Sequence, residues 1–376
     1  MRVALLTWDW PSFAGGGVAA LSHTLASALA AGGDEVEVWT RGGGARSAGL
    51  RESGPPGVRV VGIPGRSWRR KGTTHLTRGL PAHLARFRPE LVVVTPWDGL
   101  PGALVAGLDP VRTLVFAHGR DITGDPGADR RALRADVLAD PRLRWLCLTP
   151  WLQAELTAAG AAATVVPAAV PVPPPCPPGE PGRWMALGRL IPRKGQAVAV
   201  EAVGLLLAEG RDVRLDVVGE GPERPAVEAA AARWGDRVVV HGAVSDARRE
   251  ELWARCSGLV LPCRDGEAGE REGFGLVFTE AGARGRPVVA GRAGGVSAAV
   301  DHGVTGLLVD SSGDPRAVAD ALAAVLDGDG SAMGAAGRRR WADRHRPGHL
   351  AAAVRAAAAE RIQGNRRGAA SGEARL

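Results

Sequence analysis

An alternation of strand-like and helix-like segments runs along the chain and starts a second time after a proline-rich stretch. That stretch, residues 171–182, excludes a helix or a central strand because proline lacks an amide hydrogen and fixes φ. Strands that alternate with helices are typical of parallel sheets with right-handed crossover connections. The sequence therefore predicts an α/β fold with two domains joined by a stiff proline-rich linker.

The predicted boundaries follow from this alternation. The N-terminal domain covers residues 1–170, the linker 171–182 and the C-terminal domain 183–345. We expect a last helix over 346–362 that returns to the N-terminal domain, and a flexible tail over 363–376. Ligands of parallel sheets bind beyond the carboxyl ends of the strands, so the functional site is expected in a cleft between the two sheets. The predicted strands are 2–7, 35–40, 58–63, 91–95, 113–117, 144–148, 164–166, 184–187, 213–218, 238–240, 258–262, 287–290 and 306–309.

The composition restricts the partners and the compartment. A net charge of +7 leaves nucleic acid, an anionic membrane surface and phosphorylated substrates open. The lack of a recognised nucleic-acid module or a dense basic run argues against nucleic acid. The four cysteines form neither a Cys-x-x-Cys pair nor a zinc-like pattern with histidine, which is typical of a reduced cytoplasmic protein. We therefore predict a cytoplasmic location. Peripheral contact with the inner membrane surface stays open, with the charged segment 66–71, taken as a loop, as a candidate.

A basic connection follows the first predicted strand of the second domain. It has the sequence GRLIPRKG over residues 188–195, and its Lys194 is one of only two lysines in the chain. Arginine can bind two phosphate oxygens at once, and lysine supplies a compact charge on a flexible stem. Beside a helix N-terminus, Arg189 and Lys194 predict a clamp for a diphosphate. The alternative is solvated charge on a connection.

The most specific motif is EGFGLVFTE, residues 272–280. Glu272 precedes a glycine-rich turn, and Glu280 lies about two turns into the helix that follows. The helix start offers free amides to phosphate or sugar oxygens, and the two carboxylates can hold hydroxyl groups. A carboxylate pair of a glycosidase is a second interpretation. A third interpretation is that both are ordinary surface glutamates. It does not explain the Gly-Phe-Gly turn between them.

Further motifs follow strands elsewhere in the chain. Glycines 15–17 precede the first helix and suit an anion. His118 ends a strand and suits a hydrogen bond to a sugar hydroxyl, with a loop histidine satisfied by its neighbours as the alternative. A Gly-x-Gly at 219–221 is interpreted as a capped turn. Aromatic faces and carboxylates at strand ends suit an acceptor, although the tryptophans would equally serve packing. These acceptor candidates are Trp10, Trp97, Asp98 and Asp121.

Together these motifs resemble the family 4 retaining glycosyltransferases. The resemblance rests on the glycine turn, the His118–Asp121 segment, the basic run and the Glu272–Glu280 motif, and it covers nearly the whole chain in order. The fold of that family, GT-B, has two Rossmann-like domains with parallel sheets facing an interdomain cleft. The chain looks most similar to the phosphatidylinositol mannosyltransferase-like branch, in which glutamate is more usual at the position of Asp121.

The resemblance implies a nucleotide sugar bound by the C-terminal domain. Arg189 and Lys194 would neutralise the diphosphate. Glu272 would bind a hydroxyl of the donor sugar and Glu280 the ribose hydroxyls, while His118 would contact the donor sugar from the N-terminal domain. The implied catalytic residues are therefore His118, Arg189, Lys194 and Glu272. The other implied donor-binding positions are Gly16, Gly17, Phe274, Gly275, Leu276 and Val277.

The function implied by the resemblance is that of a retaining, metal-independent hexosyltransferase with no cofactor and no metal site. GDP-mannose is the favoured donor, ahead of UDP-glucose and UDP-N-acetylglucosamine. The acceptor hydroxyl is left open between a lipid-linked polyol, a glycan and a small aglycone. Two other classes also stay open: an epimerase that acts on the nucleotide sugar on a related fold, and a basic protein that binds nucleic acid or a membrane surface.

Overall fold

The computed structural model describes residues 1–10, 16–42, 51–64, 68–125, 127–266 and 269–373. Contacts divide the chain into two units, Met1–Ala169 with Pro347–Leu376, and Val170–Arg346. Each unit is built on one largely parallel sheet with helices between successive strands. The predicted α/β class with two sheets is therefore confirmed.

The described residues of the first unit form a sheet of eight strands. Its strands are β1 (Arg2–Thr7), β2 (Glu35–Gly42), β3 (Arg51–Ser53), β4 (Val58–Pro64), β5 (Leu91–Thr95), β6 (Thr113–Phe116), β7 (Arg144–Cys147) and β8 (Ala163–Val165). They are arranged in the order β3-β4-β2-β1-β5-β6-β7-β8, and all neighbours are parallel except β3 and β4. The central strands β1 and β5 are apolar at nearly every position because helices cover both faces of a parallel sheet.

In the described residues of this unit, six α-helices lie between the strands. They are α1 (Gly17–Ala31), α2 (Trp68–Phe87), α3 (Leu100–Val105), α4 (Arg120–Thr123), α5 (Ala128–Ala139) and α6 (Pro150–Ala158). The charged segment 66–71 was expected to be a loop, but from Trp68 onward it forms the start of α2. Its first two residues lie outside the described residues. The loop prediction is therefore wrong for 68–71.

The second unit contains a six-stranded sheet. Its strands are β9 (Arg183–Leu187), β10 (Arg214–Val218), β11 (Val238–Gly242), β12 (Gly258–Leu261), β13 (Val288–Gly291) and β14 (Gly306–Val309), and its helices are α7 (Gln196–Ala208), α8 (Arg224–Ala231), α9 (Asp246–Arg255), α10 (Leu276–Ala283), α11 (Pro315–Asp327) and α12 (Gly330–Arg344). The sheet is parallel, in the order β11-β10-β9-β12-β13-β14. The carboxyl ends of the neighbouring strands β9 and β12 thus meet at one edge, which is where the basic run begins.

The proline-rich segment 171–182 has no helix or strand, as its composition predicts. It does not behave as a spacer, however, because it packs on the second unit. Arg286 Nη2 donates to the carbonyl of Pro177 at 2.5 Å, and Arg255 Nε donates to Glu180 Oε1 at 2.6 Å. The prediction of a linker separate from both domains is therefore corrected: this segment is part of the second unit.

The last helix, α13 (Pro347–Glu373), belongs to the first unit. Its Arg355 donates through Nε to Asp34 Oδ2 at 2.8 Å and through Nη2 to the carbonyl of Leu29 at 3.2 Å. The helix continues past residue 362 to Glu373, so its bounds differ from the predicted 346–362, while a flexible tail stays a prediction. Two alanines and two arginines among residues 363–373 have high helix propensity and favour this extension, whereas the three glycines there oppose it. In the described part of the chain no helix is both long and apolar enough to cross a membrane.

Candidate functional site

Three charged side chains meet beyond the carboxyl ends of β9 and β12. Lys194 Nζ lies 2.7 Å from Glu272 Oε2, and Arg193 Nη1 lies 2.6 Å from the same oxygen. The basic pair comes from a single 3₁₀ turn after β9, and Glu272 precedes α10. All three side chains are 11–12% exposed. We call this group the charged cluster.

The pKa values of Glu272 and Lys194 are shifted in the directions that favour the ionised form of each group. Burial alone would raise the pKa of Glu272, but Lys194 and then Arg193 lower it to about 2. Burial would lower the pKa of Lys194, yet the attraction of Glu272 outweighs it and the pKa is raised. Two cations against one carboxylate leave an excess positive charge in a poorly solvated place. Such a place favours a bound anion.

The position of the cluster depends on close packing around Gly195. This residue has φ 73° and ψ 23°, the left-handed region, and a Cβ placed on it would lie 2.5 Å from the carbonyl oxygen of Pro262. The carbonyl of Arg193 also accepts a hydrogen bond from Arg264 N at 2.8 Å. Glycine is thus required where the turn carrying the two cations touches the chain after β12.

A buried thiol adjoins the cluster. Burial raises the pKa of Cys263 to about 11, with Lys194 opposing this shift. The thiol therefore stays protonated near neutral pH and adds no charge to the site.

Arg189 lies on the same connection as Lys194, five residues earlier, and its side chain is exposed. Its neighbours are anchored to the loop after β10: Gly188 N donates to Val218 O at 3.0 Å, and Leu190 N donates to Glu220 O at 2.8 Å. The Gly-x-Gly of that loop thus supports the connection that carries Arg189. This agrees with its interpretation as a structural turn.

The turn before α10 exposes helix amides. Gly275 has φ 84° and ψ 68°, and a Cβ there would lie 2.5 Å from the Phe278 ring. No side chain caps the helix, so the amides of Leu276 and Val277 have no partner within it. Glu272 O accepts from Gly295 N at 2.7 Å, which fixes the start of the turn. The arrangement presents helix amides directly after the charged cluster.

The two other predicted residues of this motif differ in their surroundings. Phe274 is buried, with its ring 5.9 Å from that of His345, so it serves packing while its backbone forms the turn. Glu280 lies in the second turn of α10 and is half-buried. Burial raises its pKa, while Arg249 and Arg284 oppose this. Within the described residues its carboxylate makes no hydrogen bond or ion pair, unlike that of Glu272.

In the first unit, His118 lies two residues after the buried end of β6. Its Nε2 lies 2.6 Å from Thr95 Oγ1, and its ring stacks on Phe116 with centroids 5.3 Å apart. Its backbone N donates to Asp121 Oδ1 at 2.9 Å. Burial lowers the pKa of His118 to about 4, so the imidazole is neutral at pH 7. A neutral ring can exchange hydrogen bonds with a hydroxyl but carries no charge.

The acceptor candidates fall into two groups. Trp10 and Trp97 are each 2% exposed, so both rings are packed and present no open face to a sugar. This burial favours packing, the alternative left open for the tryptophans, and a role in an acceptor pocket stays a prediction. Asp98 accepts from Arg130 Nη2 at 2.7 Å. Burial raises the pKa of Asp121 to about 7, with Asp98 adding to the effect and the backbone N–H of His118 opposing it.

Of the predicted glycine turn, residues 16 and 17 are described and Gly15 lies outside the described residues. Gly16 precedes α1 without a side-chain cap, and both glycines are exposed. The first turn of α1 therefore also offers amides at a strand-to-helix connection.

Sequence reasoning assigned no role to two residues of these sites. Arg193 was part of the basic run, but arginine is so common in this chain that its presence carried little signal. Thr95 ends an otherwise apolar strand, and its polar side chain at that position was the signal that could have drawn attention to it.

Two family models match the chain within these units. One, described as glycosyl transferases group 1, matches residues 182–328, and the other, a glycosyl transferase 4-like domain, matches residues 16–169. A D-inositol 3-phosphate glycosyltransferase of Arthrobacter sp. is 30% identical over 363 residues, which cover 86% of this chain and 84% of that protein. The chain therefore belongs to the family 4 glycosyltransferases with the GT-B fold.

A more similar but shorter match is the GDP-mannose-dependent alpha-(1-6)-phosphatidylinositol monomannoside mannosyltransferase of Mycobacterium tuberculosis. It is 41% identical over 165 residues, 43% of either chain. The match thus spans less than half the length of that relative. Among solved structures, sucrose-phosphate synthase from Thermosynechococcus elongatus has a TM-score of 0.76 at 20% identity and covers 98% of this chain and 99% of that one. HepE from Anabaena in complex with UDP-glucose has a TM-score of 0.73 at 17% identity, with coverage of 97% and 100%. These two structures share the fold.

Proposed function

We propose that the protein is a retaining, metal-independent glycosyltransferase that moves a hexose from a nucleotide-diphosphate sugar to an acceptor hydroxyl. The observation that carries this proposal is the charged cluster beside the uncapped N-terminus of α10, with Arg193 and Lys194 both on Glu272. An excess positive charge next to free helix amides suits a diphosphate. Family membership makes a nucleotide sugar the natural source of that diphosphate.

The charge that develops in the reaction explains the need for these groups. When the bond between the anomeric carbon and the β-phosphate oxygen breaks, negative charge grows on the diphosphate. Lys194, Arg189 and the amides of Leu276 and Val277 would stabilise that charge, which is the task that preorganised cations and dipoles perform best. These cations supply the compensation for which other enzymes use a metal ion, and this supports the metal-independent form of the proposal.

Retention would follow from attack by the acceptor hydroxyl on the face that the diphosphate leaves. The hydroxyl oxygen bonds to the anomeric carbon, and its proton moves to the departing phosphate oxygen. In this scheme no protein side chain becomes covalently attached to the sugar. Glu272 would accept a hydrogen bond from a sugar hydroxyl, and Glu280 would bind the ribose hydroxyls. For His118 of the first unit we propose a hydrogen bond to the donor sugar.

GDP-mannose is the proposed donor, and the name of the Mycobacterium tuberculosis relative supports it. We expect GDP to raise the melting temperature of the protein by more than UDP does at equal concentration, because, of two ligands that bind the folded state, the tighter one stabilises it more. Thermal-shift measurements with GDP, UDP and GDP-mannose test this. Stabilisation by UDP with none by GDP would instead assign a UDP-sugar.

The acceptor is proposed to be a lipid-linked polyol, a glycan or a small aglycone. The names of two relatives contain phosphatidylinositol monomannoside and D-inositol 3-phosphate, which differ in class, so they support no single choice. Asp98 and Asp121 are the carboxylates proposed to lie near it. Incubation with a panel of nucleotide sugars and acceptors, followed by identification of products by mass, tests the activity. If no donor is transferred to any acceptor class, the proposed reaction is wrong.

His118→Ala should weaken transfer more than donor binding. The ring is neutral and contributes hydrogen bonds at the sugar, while the diphosphate contacts belong to the second unit. We expect turnover to fall by roughly tenfold or more, the worth of a hydrogen bond or two in the transition state. Steady-state kinetics together with calorimetric titration of GDP separate the two effects. A turnover equal to that of the wild type would remove His118 from the site.

A further inference from the structure

The hydrogen bond between Thr95 and His118 has a defined direction. Thr95 is the last residue of β5 and is 3% exposed, and its Oγ1 lies 2.6 Å from His118 Nε2. Within the described residues this is the one hydrogen bond of the Thr95 hydroxyl. A buried hydroxyl rarely leaves its hydrogen without an acceptor, because the unmade bond costs about 1–3 kcal/mol. The Thr95 O–H therefore donates to Nε2.

The direction of this bond determines where the imidazole proton lies. Burial keeps His118 uncharged at neutral pH, so the ring carries a single N–H. Since Nε2 accepts from Thr95, that hydrogen is on Nδ1. In the described structure Nδ1 makes no hydrogen bond within the protein, and it is not among the buried polar atoms without a partner. It is thus a donor available to an outside group.

Two other contacts hold His118 in this position, one to its ring and one to its backbone. The Phe116 ring stacks on the imidazole at an interplanar angle of 18°, and Asp121 Oδ1 holds the backbone N of His118 at 2.9 Å. A 180° flip of the ring would put the Cε1 carbon where Nε2 lies and so lose the hydrogen bond with Thr95. The orientation is therefore over-determined by three neighbours on different elements.

We propose that Thr95 is a positioning residue that fixes His118 in the Nδ1–H tautomer, so that His118 presents a hydrogen-bond donor to an oxygen of the substrate. The tautomer follows from the first unit alone, whereas its use on a sugar rests on the proposed function. It also defines a specificity: the contacting group must accept a hydrogen bond. A sugar oxygen satisfies this requirement, and a protonated amino group at that position does not.

The tautomer can be measured without any activity. In the full chain labelled with ¹⁵N-histidine, NMR correlations distinguish a protonated from an unprotonated ring nitrogen, and loss of the signals in His118→Asn assigns them. We expect at pH 7 a protonated Nδ1 and an unprotonated Nε2. A proton on Nε2, or a charged ring, overturns the proposal. Because this measurement uses the wild-type protein, it does not depend on whether any Thr95 variant folds.

Variants of Thr95 then test its role in catalysis. Thr95→Val keeps the shape but lacks the hydroxyl, and Thr95→Ser keeps the hydroxyl. We expect Thr95→Val to move the proton to Nε2 in part and to lower kcat by roughly tenfold, with the donor KM little changed. Thr95→Ser should restore both the tautomer and most of kcat. An equal loss in both variants would indicate packing and refute the positioning role.

These outcomes separate the inference from the proposed function. If the wild type transfers no sugar in any assay but shows the Nδ1–H tautomer, the proposed reaction fails while the placement of the proton stands. If transfer is measured and the tautomer is Nε2–H, the inference fails while the reaction stands.

Discussion

Lys194→Ala should lower kcat/KM for transfer by roughly 10²-fold or more while the free energy of unfolding changes little. Lys194 supplies a compact buried charge 2.7 Å from Glu272, in the place where we propose that the diphosphate departs. Removing it takes away charge compensation that grows in the transition state. The fold tolerates the loss because Arg193 remains 2.6 Å from Glu272, so no buried carboxylate is left without a counter-ion.

Steady-state kinetics measure kcat/KM, and urea unfolding of the same preparation measures the free energy of unfolding. Arg211→Ala is a matched control, since it also removes one cation from an ion pair, that with Asp327 at 2.7 Å, but on the surface. Exposed pairs contribute about 0–1 kcal/mol, so neither activity nor stability should change appreciably. Near wild-type turnover in Lys194→Ala would mean that the diphosphate is bound elsewhere.

Glu272→Ala should destabilise the protein by about 3 kcal/mol and also reduce transfer strongly. Here the carboxylate is the shared partner, so its removal leaves both Arg193 and Lys194 poorly solvated and repelling each other. The free energies of unfolding of Glu272→Ala and Lys194→Ala should therefore differ. Both variants lose the contact between Lys194 and Glu272, but only Glu272→Ala leaves cations without their carboxylate. Urea unfolding at pH 7 measures the difference, and equal stability of the two variants would contradict it.

The loss of stability in Glu272→Ala should also depend on pH. The pKa of Glu272 is lowered from 4.5 to about 2, so its stabilising effect is complete above 4.5 and is lost as the pH falls toward 2. The stability difference between wild type and variant should therefore shrink over that range. Glu280→Ala is the control, since burial raises the pKa of Glu280 and its carboxylate makes no ion pair in the described structure. It should weaken nucleotide binding without a comparable loss of stability.

The strands of both sheets could be predicted because parallel strands buried on both faces are nearly uninterrupted apolar runs, as in β1 and β5. The same rule explains what was missed. The strand β3, with the sequence Arg-Glu-Ser, is polar and antiparallel at the edge of its sheet, so it has no such run. The loop prediction for 68–71 also missed that arginine and lysine have high helix propensity, which favours the start of α2 at Trp68.

The candidate site was predictable where spacing alone brings groups together, as for Glu272, Gly275 and α10. Arg193 was missed since its contact with Glu272 depends on a 3₁₀ turn, which places two successive side chains on one carboxylate. The burial of Trp97 depends on its surroundings in the fold, which a strand-end position does not reveal. Sequence patterns thus indicate the candidate site, and tertiary packing determines which neighbouring side chains lie in it.

The membership of α13 in the first unit has a consequence for biosynthesis. This helix is translated after the whole second unit, yet it packs on α1, and Arg355 binds the carboxylate of Asp34. On the ribosome the first unit cannot complete its fold until all of the second unit has been synthesised. This synthesis takes on the order of ten seconds or more at about 5–20 residues per second. During that interval the nascent N-terminal half exposes the surface that Leu350 and Val354 later cover. A fragment that ends at residue 169 lacks α13, so this surface would stay exposed.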